Sequence, residues 1–267
     1  AAGAALEALA LFDGDAAIPA LDGVVPLRTE VQSPVVGLRL RALNARGGGV
    51  PDQAVAFRSR SGEGLLDAAH CPLPSGGSSD DGGWLEPNLR GGTVAGICGF
   101  SANVGATTLH FNLSIRPGVA VGGELLAGDC QNPPTYQPGG EVGELPALTG
   151  YQLRPEPFPQ GEQAHALCVC PRDALGNALV GEALFLAGSN YHLAQDPFAV
   201  PESGCAAFAV VGGGNPMQPA ELALDSGRGW QNPPRFSFAV NAERPALEGV
   251  ILDGLTDAQR VAGPNNN

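Results

Sequence analysis

The sequence contains no lysine; all 14 of its basic residues are arginine. Three chemistries are thereby excluded: a Schiff base, a P-loop lysine and a lysine–asparagine isopeptide crosslink. Charge is sparse, at 15% of residues, and aromatics make up only 6%. A chain with so few charges has little material for long solvated helices. No run approaches the roughly 18 apolar residues that a membrane-spanning helix requires. Motifs are missing too. There is no HExxH, no HxH and no glycine-rich loop ending in lysine-serine or lysine-threonine. Gly99-Phe100-Ser101-Ala102-Asn103 fails as a nucleophile elbow at its last position. No catalytic function, no cofactor and no metal site is expected.

What is present is glycine and proline, 39 and 24 among 267 residues, which interrupt almost every potential helix. Short strands joined by turns are the expected structure. Acids outnumber bases 27 to 14, for a formal charge of −13. Such a surface repels phosphate backbones, so nucleic acid is not an expected partner.

Six cysteines form an even set: Cys71, Cys98, Cys130, Cys168, Cys170 and Cys205. In a loop-rich chain this parity reads as three disulfides and an oxidising, extracellular or cell-surface setting. The Cys168-Val169-Cys170 spacing is not that of a structural zinc site. The apolar start, Ala1 to Phe12, lacks a basic flank and reads as a mature terminus after signal removal.

The two halves of the chain share a pattern. Residues 44–57 (NARGGGVPDQAVAF) align without gaps on residues 173–186 (DALGNALVGEALFL). An alternating apolar stretch precedes each, Val36–Leu43 and Ala164–Cys170, and alternation with period two marks a half-buried strand. Further matches extend the repeat. Ile97–Phe100 corresponds to Gly204–Phe208, Thr108–Ile115 to Ala220–Leu224, and Gln131-Asn132-Pro133-Pro134 recurs as Gln231-Asn232-Pro233-Pro234. The first copy carries an extra segment, Cys71–Gly83, with loop composition.

A strand, then D-A-x-G-N, then a second alternating strand resembles the bacterial immunoglobulin-like modules of invasin- and intimin-type surface proteins. Asp173-Ala174-Leu175-Gly176-Asn177 carries this resemblance, with Asn44-Ala45-Arg46-Gly47-Gly48 as its counterpart. Asn103–Leu109 looks like the final hairpin of such a module. The resemblance spans roughly 30–118 and 155–240 and implies tandem β-sandwiches on a cell surface or in an extracellular polymer.

The expected architecture is all-β. Two tandem immunoglobulin-like sandwiches would occupy 27–137 and 155–240, with a linker at 138–154. Extended segments would flank them at 1–26 and 241–267. Cys98 and Cys205 are expected on equivalent strands, with Cys98 bridged to Cys71. Cys205 would meet Cys168 or Cys170, leaving the other for Cys130 to clamp the domains together. The proline-spaced stretch bearing Ile18, Leu21, Val24, Val25 and Leu27 reads as a strand that pairs either with its own domain or with a neighbouring copy. The expected function is a structural subunit of an extracellular filament, pilus-like fibre or surface layer, with copies of itself as partner. The alternative is an adhesin that uses the 71–83 insertion as its contact loop for a surface ligand.

Few residues remain for chemistry. His70, His110, His165 and His192 sit in dissimilar contexts. His70 beside Asp67 and Cys71 forms a poor nucleophile pair, because an acidic loop disfavours the thiolate. Asp13/Asp15 and Asp80/Asp81 read as solvated loop charge in preference to a calcium site. The Asn112-Leu113-Ser114 sequon falls in an expected strand.

Overall fold

The computed structural model describes residues 5–127, 130, 151–152, 165–189, 191–193, 198–212, 220–231, 233, 235–240 and 247–251. Among these residues there are β-strands and one 3₁₀ turn, Ala68–His70, and no α-helix. The chain divides after Pro117 into two compact units.

The first unit contains β1 (Ala8–Asp13), β2 (Ala16–Ala17), β3 (Val24–Glu30), β4 (Leu38–Leu43), β5 (Ala54–Arg60), β6 (Gly77–Ser78), β7 (Trp84–Leu85), β8 (Gly96–Val104) and β9 (Thr107–Arg116). One sheet has the order β2-β1-β4-β7 and the other β3-β9-β8-β5-β6. The pairings are antiparallel apart from β3 with β9, which is parallel. Alternation explains the layering. Leu38, Leu40 and Ala42 of β4 point inward while Arg39, Arg41 and Leu43 point outward. Leu9, Leu11 and Leu40 of one sheet share a core with Val25, Leu27, Phe100, Phe111 and Leu113 of the other. This is an immunoglobulin-like sandwich, with its opening segment split between the two sheets. The β8–β9 hairpin turns through Gly105-Ala106, where Gly105 at φ +56° supplies the positive φ that a two-residue hairpin requires.

The second unit contains β10 (Gly122–Ala127), β11 (Tyr151–Gln152), β12 (His165–Arg172), β13 (Ala183–Ser189), β14 (Tyr191–Leu193), β15 (Phe198–Ala199), β16 (Ala206–Gly212), β17 (Ala220–Ser226), β18 (Arg235–Val240) and β19 (Leu247–Ile251). Its sheets run β11-β10-β12-β16-β14 and β15-β13-β17-β18-β19. Leu167, Val169 and Phe208 from the first sheet pack with Leu184, Leu186, Phe198 and Leu224 from the second.

The shared turn motif has the same internal geometry in both units. The Asn44 Oδ1 accepts from the Arg46 and Gly48 amides at 2.9 and 3.0 Å. The Asp173 Oδ1 accepts from the Leu175 and Asn177 amides, both at 2.9 Å. The Gly47 amide donates to the Asn44 carbonyl, and the Gly176 amide to the Asp173 carbonyl. Both glycines adopt left-handed φ, +76° and +79°, which explains their recurrence. Asp173 goes further. It is buried, and its Oδ2 also accepts from the Gly118 amide at 2.8 Å and from the Asn177 side-chain amide at 3.0 Å. Those bonds compensate a carboxylate removed from water.

Several expectations are corrected. The first domain does not begin at residue 27, because β1 pairs with β4 over six residues and buries Leu9 and Leu11 in the first unit's core. Residues 118–127 do not close the first domain. Ala120 lies in the second core beside Trp230, and β10 pairs with β12. The boundary therefore falls at Pro117, ahead of the expected linker; residues 138–150 lie outside the described residues. At the other end β19 extends the second unit's sheet by pairing with β18.

The second half of the repeat also shifts by one strand. In the first unit β8 lies between β5 and β9, whereas β16 lies between β12 and β14. By position, β16 corresponds to β7, β17 to β8 and β18 to β9. Cys98 on β8 and Cys205 before β16 are thus not equivalent. Alternating strands look alike in sequence, and only ladder partners distinguish them. Both QNPP segments fall in the second unit, so they do not mark the ends of two copies; the first lies outside the described residues.

Candidate functional site: an arginine–tryptophan face beside a tethered insertion

All six cysteines are bridged: Cys71 to Cys98, Cys130 to Cys168, and Cys170 to Cys205. The second of these lies within the second unit and does not join the two. The expected interdomain clamp is corrected accordingly, because Cys130 follows β10, which belongs to the later sandwich. The sulfurs of Cys168, Cys170 and Cys205 lie within 4.8 Å of one another, a spacing that thiolates around a metal would show. Each is spent in a bridge and offers no thiolate.

The 71–83 insertion is not a free loop. Cys71 anchors its start, and β6 pairs with β5. Ser79 is buried; its hydroxyl donates to the Val50 carbonyl and accepts from the Gln53 amide, each at 2.9 Å. The Asp80 carboxylate accepts from the Gly82 and Trp84 amides at 2.8 and 2.9 Å. Asp80 is therefore a turn cap, which accounts for it without a cation. Leu73 stands out of this frame, 55% exposed.

The insertion delivers Trp84 to β7, where it pairs in register with Arg41 of β4. The indole lies on the outward face of the β2-β1-β4-β7 sheet. The Arg39 guanidinium carbon sits 4.0 Å from the ring centroid and that of Arg41 4.6 Å. Phe12 of β1 meets the ring edge-on at 4.9 Å. The Arg41 Nε donates to the Gly82 carbonyl at 3.3 Å, and Arg39 approaches the fully exposed Asp15 at 3.6 Å. Two cations over one indole form a partly solvated stack, each contact worth about 0.5–1 kcal/mol. Tryptophan and arginine are also the side chains that most often dominate protein contact surfaces. On a chain of charge −13, this face concentrates cation and aromatic together.

No sequence motif marks Trp84, Arg39, Arg41 or Phe12. The available signal was Leu38-Arg39-Leu40-Arg41, whose alternation puts both arginines on one outward face. That Trp84 joins them follows from the β4–β7 pairing, which no local pattern encodes.

The proline-spaced stretch that could pair within its own domain or with a neighbouring copy lies in the first unit. Val24, Val25 and Leu27 lie on β3, paired with β9 of the same chain, and Val25 and Leu27 are buried. Ile18 packs against the same core. Leu21 lies in the tight turn ahead of β3, 65% exposed. His70 ends the 3₁₀ turn beside a bridged cysteine, and His110 is exposed on β9. His165 and His192 lie on β12 and β14.

No family model matches the chain, and no curated protein sequence matches it. Similar solved structures include the Yersinia pseudotuberculosis adhesin InvE, at 14% identity and TM-score 0.38 over 86% of this chain and 63% of that one. They include the D00-D0 domain of intimin, at 10% identity and TM-score 0.27 over 85% of this chain and 96% of that one. The S-layer protein rSbsC(31-844) matches at 12% identity and TM-score 0.25, over 94% of this chain and 33% of that one. The chain spans less than two thirds of the InvE structure.

Proposed function

We propose that this chain is an extracellular surface protein of two sandwich units, the first of which presents an adhesive contact face, the Phe12–Trp84–Arg39–Arg41 stack. The observation that carries this reading is the stack itself: an indole, a phenyl ring and two guanidinium groups on an outward sheet face. A rigid scaffold presenting a few aromatic and cationic side chains is what selective surface contact needs. Closure of every cysteine into a bridge suits an oxidising exterior. The partner is a surface ligand, and catalysis has no part in the reading.

Binding of cells or matrix displaying the ligand tests it. Trp84→Ala combined with Arg41→Ala is expected to reduce adherence at least tenfold while both units stay folded by circular dichroism. Unchanged adherence would reject the stack as the contact face.

A second reading is supported by β3, which forms the edge of its sheet. A copy could take a neighbour's β3 in place of its own, assembling a polymer by exchange. Pro26 within this edge works against simple strand addition, since it lacks an N–H. Arg28→Cys with Ser114→Cys, register partners on β3 and β9, would lock pairing within one chain. Filaments seen by electron microscopy in the wild type and lost in the locked variant would establish exchange. Filaments that persist when locked would reject it.

A further inference from the structure

A chain pulled from its ends becomes taut along its shortest covalent path. In the second unit that path is governed by sulfur. Cys130, which follows β10, is bonded to Cys168 on β12. Cys170, on the same strand, is bonded to Cys205, which leads into β16. β10, β12 and β16 are consecutive neighbours in one sheet, so the two bridges lace three adjacent strands in series. Only Val169 separates the two attachment points, and alternation puts Cys168 and Cys170 on the same side of β12.

We infer that the second unit carries tension through its disulfides. The covalent path runs from Gly118 to Cys130, crosses to Cys168, follows β12 to Cys170, crosses to Cys205 and continues through β16 to β19. The two bypassed loops have sequence separations of 38 and 35 residues. The second loop contains β13, β14, β15 and the buried Asp173–Asn177 turn, none of which can be drawn out while the bridge holds. Nearly everything between residues 130 and 205 is replaced on the path by three residues of β12. The first unit has one bypass of the same kind, the Cys71–Cys98 loop of separation 27, which shields the tethered insertion and leaves β1–β5 in the path.

The stored length is large. At about 3.4 Å per extended residue, the two loops of the second unit hold roughly 250 Å and the Cys71–Cys98 loop roughly 90 Å. Release requires a reductant. A dithiol such as dithiothreitol gives two electrons and two protons to each bridge, which becomes two thiols as the reagent closes to its cyclic disulfide. The inference rests on connectivity and is independent of what the Trp84 face binds.

Single-molecule force spectroscopy on the full chain, held between handle domains at its two ends, tests this. Fully stretched, the oxidised chain is expected to fall short of the reduced chain by roughly 340 Å, divided into shares of about 250 and 90 Å. Cys170→Ser with Cys205→Ser should recover roughly 120 Å and leave the remaining shortfall intact. Unfolded length is the quantity read, so a variant that yields at low force is equally informative. Equal lengths in the oxidised and reduced chains would overturn the inference. So would a double variant that recovers none of the second unit's shortfall, or all of it.

Discussion

Asp173 shows how one buried carboxylate organises a junction. It accepts the Leu175 and Asn177 amides within its own turn and the Gly118 amide from the segment that opens the second unit. Asp173→Ala would leave those donors unpaired in a buried site. The expected loss is about 3 kcal/mol of second-unit stability, read by urea unfolding. Asn44 holds the corresponding turn closer to solvent, with two backbone bonds instead of three. Asn44→Ala should cost only about 1 kcal/mol in the same measurement. A near-equal effect of the two substitutions would show that burial does not set the difference. The turn itself was legible, because D-A-L-G-N and N-A-R-G-G state both the side-chain acceptor and the left-handed glycine. The burial of Asp173 was not, since it depends on Gly118 arriving from 55 residues away. Glu182 makes a similar long-range contact. It accepts from the Arg228 Nε at 2.8 Å and from the Arg228 amide at 3.0 Å. Glu182→Gln is expected to weaken this partly buried pair by about 1–3 kcal/mol, and restoring the carboxylate as Asp should recover little, because the reach is shorter.

At the scale of elements, the period-two pattern identified strands well and their partners poorly. β4, β5, β9, β12 and β17 all fall where alternation predicts them. Yet β17 corresponds by position to β8, not to β9, because alternation states which faces are apolar and not which strand lies alongside. β10 shows the same gap. Its Gly122-Gly123 start and proline-rich surroundings resemble a linker, but it pairs along the length of β12. A fragment beginning at Gly118 should therefore melt cooperatively, whereas one beginning at Pro155 loses β10 and the Cys130 bridge and should not. Thermal unfolding followed by circular dichroism separates these outcomes; cooperative melting of the shorter fragment would refute the assignment of β10. The insertion is likewise an element and not a removable loop. Excising 72–83 deletes β6 and Ser79, so the first unit should unfold at markedly lower denaturant, unlike a loop whose length changes closure entropy only slightly.

On the scale of the whole molecule, three bridges staple two cores that are short of aromatic side chains. The Cys71–Cys98 bridge closes a loop of separation 27, which corresponds to about 3.5 kcal/mol in the chain-entropy treatment. Cys71→Ser with Cys98→Ser should lower the first unit's stability by about that amount and leave the second unit's transition where it was, as two-domain calorimetry would read. A shift of both transitions would show that the units are coupled. The −13 charge and the absence of lysine describe the molecule's surroundings and not its fold. Against that background the Arg39–Arg41 pair is a local concentration of positive charge.

Composition, alternation, glycine turns and cysteine parity sufficed for the fold class, since each acts within a few residues and tells strand from helix, turn from ladder and bridged from reduced. They also placed the two D/N-A-x-G turns. Tertiary structure alone settled where the first sandwich ends, which strands are neighbours, and that Trp84 is seated against Arg39 and Arg41. Those outcomes depend on which equally apolar face buries against which. That is a competition among distant segments, decided by packing and register and not by any pattern within one of them.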